Sequence, residues 1–121
     1  MKLSIRVEKS SQELGIIWGY ASVADLLDDQ GDVVPQDELV KAVYQFMEDY
    51  YSGQAVIKEN HEQAVKATLV ESTFHFIGTH LAWFVGVKLH DPELREAAAK
   101  GEISGFSIGG WYQPEEEGAN G

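Results

Sequence analysis

The sequence of 121 residues contains no cysteine and no long run of apolar residues. The first absence excludes disulfides, a thiolate nucleophile and cysteine-ligated zinc, and it fits a reducing compartment. The second excludes a membrane-spanning helix, and the alternation of polar and apolar residues at the start is unlike a signal peptide. We therefore expect a soluble, intracellular protein with no membrane partner.

Basic residues are also scarce. Nine lysines and arginines stand against twenty aspartates and glutamates, which gives a net charge of −11. Such a chain repels phosphate backbones, so nucleic acid is not an expected partner. The length allows one hydrophobic core and not two. We expect a single domain over residues 1–113, followed by a flexible acidic tail over residues 114–121.

Two segments carry the signals of helices. After Pro35, apolar side chains recur every three or four residues, which predicts an amphipathic helix over residues 36–51. Asp91 directly before a proline is a strong helix start and Gly101 an equally strong stop. These two signals predict a second, short helix over residues 92–100.

Most of the remaining chain alternates with a period of two, which predicts β-strands. Residues 3–7 and 16–20 are expected to pair as a hairpin. In a strand over residues 66–77, strict alternation places Leu69 on the same face as Glu71. Further strands are predicted from residue 55 and over residues 81–89 and 103–112.

These elements predict an α+β fold. Its sheet is expected to be antiparallel-dominated, and either curved or closed into a barrel, with the two helices inserted. A parallel sheet is disfavoured because strands and helices do not alternate regularly. Trp18, Trp83 and Phe84 are expected in the core, since aromatic residues on strands usually bury their area.

An acidic loop over residues 28–32 resembles a calcium-binding loop at first sight. Aligning Gly31 with the obligatory glycine of an EF-hand loop places Leu26 at the first ligand position, where an oxygen ligand is needed. We therefore expect an exposed, solvated loop that holds no calcium ion.

The most informative residue is Ser107, which has glycines two positions before and two positions after it, in Gly105-Phe106-Ser107-Ile108-Gly109. Small neighbours let a carbonyl substrate approach a serine closely and could leave backbone N–H groups free for an oxyanion. The letters match the nucleophile elbow of α/β-hydrolases, but that elbow needs a following helix and a downstream histidine. The chain has neither, so a base for Ser107 must precede it. A serine between glycines is also a common turn residue, and that interpretation stays open.

Taken together, the motifs resemble a known family. The order and spacing of the Asp29-Gln30-Gly31-Asp32 loop, His61, the strand from Trp83 to Leu89 and the segment from Gly101 to Gly110 are similar to those of the XkdF-like serine proteases of tailed phages. The procapsid maturation proteases, which share a barrel like that of herpesvirus assemblin, are more distant relatives. The resemblance implies that His61 and Ser107 form the catalytic pair.

The resemblance leaves the third catalytic residue open. In the related maturation proteases a third residue follows the serine, whereas this sequence has a short acidic segment there. Glu71 is our first candidate, because its strand follows the His61 segment through a short turn. The glutamates at positions 115–117 are alternatives, although a solvated charge run describes them better. His75 is a reserve base, while His80 and His90 have structural interpretations.

The function that the resemblance implies is that of a serine endopeptidase. It would cleave scaffold or capsid protein segments during head assembly, in the host cytoplasm and within the procapsid, without a metal or organic cofactor. Self-association is left open. The alternative is a catalytically inactive assembly module of the same fold, which binds scaffold protein but does not cut it.

Overall fold

The computed structural model describes residues 2–28, 31–53, 55–59, 63–64 and 67–110. Seven strands of this part of the chain form one sheet in the order β4-β3-β7-β1-β2-β6-β5, and every pairing is antiparallel. The elements are β1 (Lys2–Ser11), β2 (Ile16–Val23), α1 (Gln36–Tyr51), β3 (Ala55–Glu59), β4 (Gln63–Ala64), β5 (Ala67–Ile77), β6 (His80–Leu89), α2 (Pro92–Ala99) and β7 (Gly105–Gly110).

The predicted α+β class, with an antiparallel sheet and two helices, is confirmed. The pairings of the described residues leave β4 and β5 at the two ends of the strand order, so they show a sheet and not a closed barrel. The predicted tail over residues 114–121 lies outside the described residues. None of the described helices is long and apolar enough to cross a membrane.

One face of the sheet is covered by α1. The side chains of Leu39, Val43 and Phe46 on this helix are buried against the sheet. The ring of Phe46 lies 5.3 Å from that of Trp83. The helix contacts β3, β6 and β7, although β1 and β2 separate β7 from β6 in the sheet. With 16 residues, α1 is about 24 Å long, so it spans the sheet from β3 to β6. We call the sheet face toward α1 the inner face and the opposite one the outer face.

The second helix begins and ends at the predicted signals. The side chain of Asp91 accepts a hydrogen bond of 2.9 Å from the backbone N–H of Glu93, which satisfies a donor that the first turn leaves unpaired. Gly101 follows the helix at a positive φ of 77°, as expected of a helix-ending glycine. Ala98 is buried and fixes the last turn of α2 against the core.

One prediction about β5 is wrong. The register of β5 against β6 shifts between Leu69 and Glu71, so Val70 is an extra residue in a β-bulge. The bulge reverses the alternation: Leu69 is buried on the inner face, whereas Glu71 lies on the outer face and Val70 is 47% exposed. Strict period-two alternation could not anticipate this shift.

The three aromatic residues predicted for the core differ in their surroundings. Trp83 is on the inner face and is fully buried. Phe84 is buried on the outer face, where Tyr20 and His75 cover it at ring distances of 5.0 and 4.6 Å. Trp18 is half-buried on the same outer face. Because the outer face also carries aromatic packing, β6 is covered on both sides.

The acidic loop is exposed at its described residues, as predicted. Two hydrogen bonds of 2.8 Å join Asp28 and Asp32. The Asp28 N–H donates to the backbone oxygen of Asp32, and the Asp32 N–H donates to the Asp28 carboxylate. The remaining two residues of the loop lie outside the described part.

Candidate functional site

Ser107 lies in the middle of β7, between β1 on one side and β3 on the other. Its partners in register are Ser4 and Lys58. The neighbouring Phe106 is buried in the core, so alternation places Ser107 on the outer face. Ser107 is only 1% exposed, and its hydroxyl has no hydrogen-bond partner.

A buried hydroxyl without a partner is unusual. Among the side chains that the structure describes, only Ser107 and Thr73 have such an oxygen. Leaving a buried polar group unpaired costs about 1–3 kcal/mol, so such groups call for an explanation in function or in an absent partner. The unpartnered hydroxyl therefore makes Ser107 a candidate for a functional group.

The backbone around Ser107 excludes a nucleophile elbow. The glycine-flanked segment is a strand, paired with β1 through residues 105–109 and with β3 through residues 106–110. Ladders on both sides use the backbone N–H and C=O groups of a strand. The expectation that backbone N–H groups beside Ser107 are free for an oxyanion is therefore wrong for this arrangement. Donors for an oxyanion must come from elsewhere or from a shift of β7.

His61, the predicted base, lies outside the described residues. The strand that leads to it is described: β3 ends at Glu59, which pairs with Phe106, and the preceding Lys58 pairs with Ser107. In the sequence His61 follows two residues after Glu59. The structure thus brings the start of the His61 segment beside the candidate nucleophile.

Glu71, the predicted third residue, is placed elsewhere. It lies on β5, four strand spacings from β7, which is about 19 Å measured along the sheet. Its carboxylate accepts a 2.8 Å hydrogen bond from the indole N–H of Trp18. The described structure does not bring Glu71 together with Ser107, so its catalytic role stays a prediction. The alternatives at positions 115–117 lie outside the described residues.

Comparison with known families identifies a match over most of the chain. A family model described as "Putative phage serine protease XkdF" matches residues 4–116, which include β3, Ser107 and both helices. The chain belongs to this family. No curated protein matches the chain, and no solved structure matches it.

Membership of the XkdF family points to a phage protein and to serine hydrolase chemistry. A serine protease needs a nucleophilic serine, and Ser107 combines a hydroxyl without a partner with a position inside the matched range. Ser104 in the same segment is exposed and lies before β7, outside the glycine-flanked motif. Ser107 is therefore the better candidate of the two.

Three other histidines of this family member have described contacts. His75 is stacked on Phe84, and His80 donates from Nδ1 to the backbone oxygen of Ala24 at 3.0 Å. His90 is hydrogen-bonded to the hydroxyl of Thr68 at 2.8 Å. His75, the reserve base, lies on β5 with Glu71 and not beside β7. No group of three or more His, Asp or Glu side chains suited to a metal ion occurs in the described ranges.

Lys58 is a residue that sequence reasoning did not consider. It became a candidate only through the pairing of β3 with β7, which places it opposite Ser107. The pairing joins segments about fifty residues apart in the sequence, and no local pattern fixes it. The alternation of β3 could have identified Lys58 only after its partner strand was known.

Proposed function

We propose that the chain is a phage serine endopeptidase in which Ser107 is the nucleophile, and that it cuts scaffold or capsid protein segments during head assembly. One observation carries the proposal: the Ser107 hydroxyl is buried without a partner on the strand directly beside the one that leads into His61. Membership of a phage serine protease family supports the reaction class.

The proposed chemistry is acyl transfer. His61 accepts the proton of the Ser107 hydroxyl as its oxygen attacks the peptide carbonyl, and then donates that proton to the leaving amine as the C–N bond breaks. Water then attacks the resulting ester, with His61 as base again, and releases the new carboxyl group and the free serine. Covalent geometry keeps the Cα of His61 within about 7 Å of the Cα of Glu59, the β3 residue that pairs with Phe106.

The burial of Ser107 has a direct kinetic implication. A hydroxyl that is 1% exposed cannot meet a peptide carbonyl until the atoms above it move. We therefore expect slow reaction with small probes and faster reaction when substrate or assembly opens the outer face at β7.

The first experiment measures covalent labelling by a fluorophosphonate and cleavage of a co-expressed scaffold protein. Ser107→Ala should abolish both, because no other hydroxyl takes over the attack. Ser52→Ala is the matched control, since this serine is exposed just after α1. Equal cleavage by wild type and Ser107→Ala, with the folded state intact, would refute the proposal.

The second experiment identifies the base. His61→Ala should lower the labelling rate by about two to four orders of magnitude, the usual range for loss of a general base. Lys58→Met is the comparison, because Lys58 is the register partner of Ser107. Loss of labelling in Lys58→Met with retention in His61→Ala would assign the base to Lys58 instead.

The second candidate function is an inactive assembly module that binds scaffold protein. The observation that favours it is the combination of a buried hydroxyl and backbone N–H groups engaged in two ladders. It is the better description if the wild-type protein co-assembles with scaffold and is neither labelled nor active under any assembly condition.

A further inference from the structure

A groove runs along one edge of β1. This strand continues to Ser11 beside β2, but its ladder with β7 ends at Arg6, and one further bond of 3.0 Å joins the Val7 N–H to the oxygen of Ser104. Beyond that bond the chain preceding β7 turns into the core at Ile103, which is buried. Glu8, Lys9 and Ser10 face a cavity of about 750 Å³ at the position where a neighbouring strand would lie.

The opposite wall of this β1 groove consists of residues with small side chains. It is formed by Ala99 and Gly101 at the end of α2 and by Ser104 and Gly105 before and at the start of β7. A side chain at Gly105 would bring its Cβ to 2.9 Å from the backbone oxygen of Ile5. The glycine thus allows β7 to begin tightly against β1 and leaves the end of the groove unobstructed.

We propose that the β1 groove binds an extended peptide, which adds to the edge of β1 as an antiparallel strand in line with β7. The inference rests on the proposed function, because the peptide is the segment to be cut. The occupant is recognised through its main chain, since the groove offers a strand edge and small or polar walls rather than deep apolar pockets.

Two features favour a peptide over other occupants. The edge that lines the groove runs from Glu8 to Ser10, about 10 Å at 3.3 Å per residue with a β-bulge at Glu8, and it matches about three residues of an extended chain. The groove also leads to the site, because Gly105 at its end is two residues, or about 7 Å, from Ser107 along β7. A peptide held there is extended and ends at the start of β7, because β7 itself occupies the position beside β1 from Gly105 onward.

Binding is tested in the Ser107→Ala background, so that no cleavage interferes. The probe is a fluorescein-labelled octapeptide of alternating valine and serine, and the measurement is fluorescence anisotropy. Ala99→Trp should weaken binding at least about tenfold, because the indole fills the groove. Glu96→Trp, on an exposed position of α2 outside the groove, should change it less than about twofold.

A second arm tests main-chain recognition. The same octapeptide with N-methyl groups on alternate residues cannot donate the ladder hydrogen bonds, and it should bind at least about tenfold more weakly. Equal binding of the two peptides, or equal binding to Ala99→Trp and Glu96→Trp, would overturn the inference. Circular dichroism of both variants shows that they are folded.

Because the chain has no cysteine, cross-linking can locate the peptide. Ser10→Cys in the groove should form a disulfide with a peptide carrying one central cysteine, whereas Ser52→Cys, exposed after α1, should not. Labelling of Ser107 by fluorophosphonate without peptide binding in the groove would leave the protease proposal standing and refute only the groove. Peptide binding in the groove, with neither labelling of Ser107 nor cleavage of scaffold protein under any assembly condition, would do the reverse.

Discussion

Glu71 and Trp18 form the clearest polar contact on the outer face. The Trp18 indole crosses Gly86 to reach the carboxylate, and Lys9 lies over the indole ring at 4.5 Å. The bulge at Val70 is what turns Glu71 toward this face. A role in holding Trp18 explains the position of Glu71 without any reference to catalysis.

We expect Glu71→Ala to lower the free energy of unfolding by about 1 kcal/mol, because it leaves the half-buried indole N–H without its partner. Urea unfolding measures the change. Glu13→Ala, an exposed carboxylate in the β1–β2 turn, is the control and should have little effect. If Glu71→Ala also abolishes labelling of Ser107 while the protein stays folded, the predicted catalytic role is supported.

Gly86 should tolerate no side chain. A Cβ there would lie 2.8 Å from the Trp18 ring and 3.1 Å from the Cβ of Glu71. We expect Gly86→Ala to cost about 1–3 kcal/mol by overcrowding. In a Trp18→Ala background the same change should cost clearly less, because the indole is gone. Equal costs in both backgrounds would show that the crowding has another source.

For single residues, the sequence predicted Ser107 as the candidate nucleophile, because the glycines that mark it lie only two positions away. Its burial and its register partner Lys58 could not be predicted, since both depend on β1 and β3 lying beside β7. The face on which Glu71 lies could not be predicted either. Such predictions assume strict alternation along the strand, and the bulge at Val70 interrupts it.

At the scale of elements, the helices were predicted almost to the residue. Helix α1 occupies Gln36–Tyr51 as expected, and α2 ends at Ala99, one residue before the predicted end. Caps and breakers act within a few residues, so the sequence contains the whole signal. Strand ends depend on partners, and accordingly β1 runs to Ser11, beyond the end of the predicted strand at residue 7.

The cap of α2 can be tested directly. Asp91→Ala should cost about 1 kcal/mol, because the Glu93 N–H loses its acceptor. Asp37→Ala in the first turn of α1 is the matched comparison. No side-chain bond caps α1, so only the attraction to the helix dipole is lost there, about 0.3–1 kcal/mol. A smaller loss for Asp91→Ala than for Asp37→Ala would contradict the role of the cap.

At the scale of the whole molecule, the sheet depends on the side chains packed between it and α1. Phe46 is fully buried against Trp83, at the point where the helix bridges separated strands. We expect Phe46→Ala to cost about 3–5 kcal/mol. Tyr44→Ala, on the exposed side of the same helix, should cost far less. Thermal unfolding of both variants gives the comparison, and similar midpoints would mean that α1 does not hold the sheet.

The sequence predicted the class of the fold but not the order of its strands. Alternation and helix signals are local, whereas the insertion of β7 between β1 and β3 joins residues from both ends of the chain. Packing around α1 decides that arrangement, and no spacing within the sequence encodes it.

Because β7 lies between β3 and β1, the sheet is complete only after β7 has been synthesised. Strands β1, β2, β5 and β6 can pair as soon as they leave the ribosome, and β3 can pair with β4, but only β7 joins these two sets. The strand that carries Ser107 is also the last described strand to be synthesised. The candidate nucleophile thus reaches its place only as the two parts of the sheet close around it, so a nascent chain carries no assembled site while its neighbours are still being made.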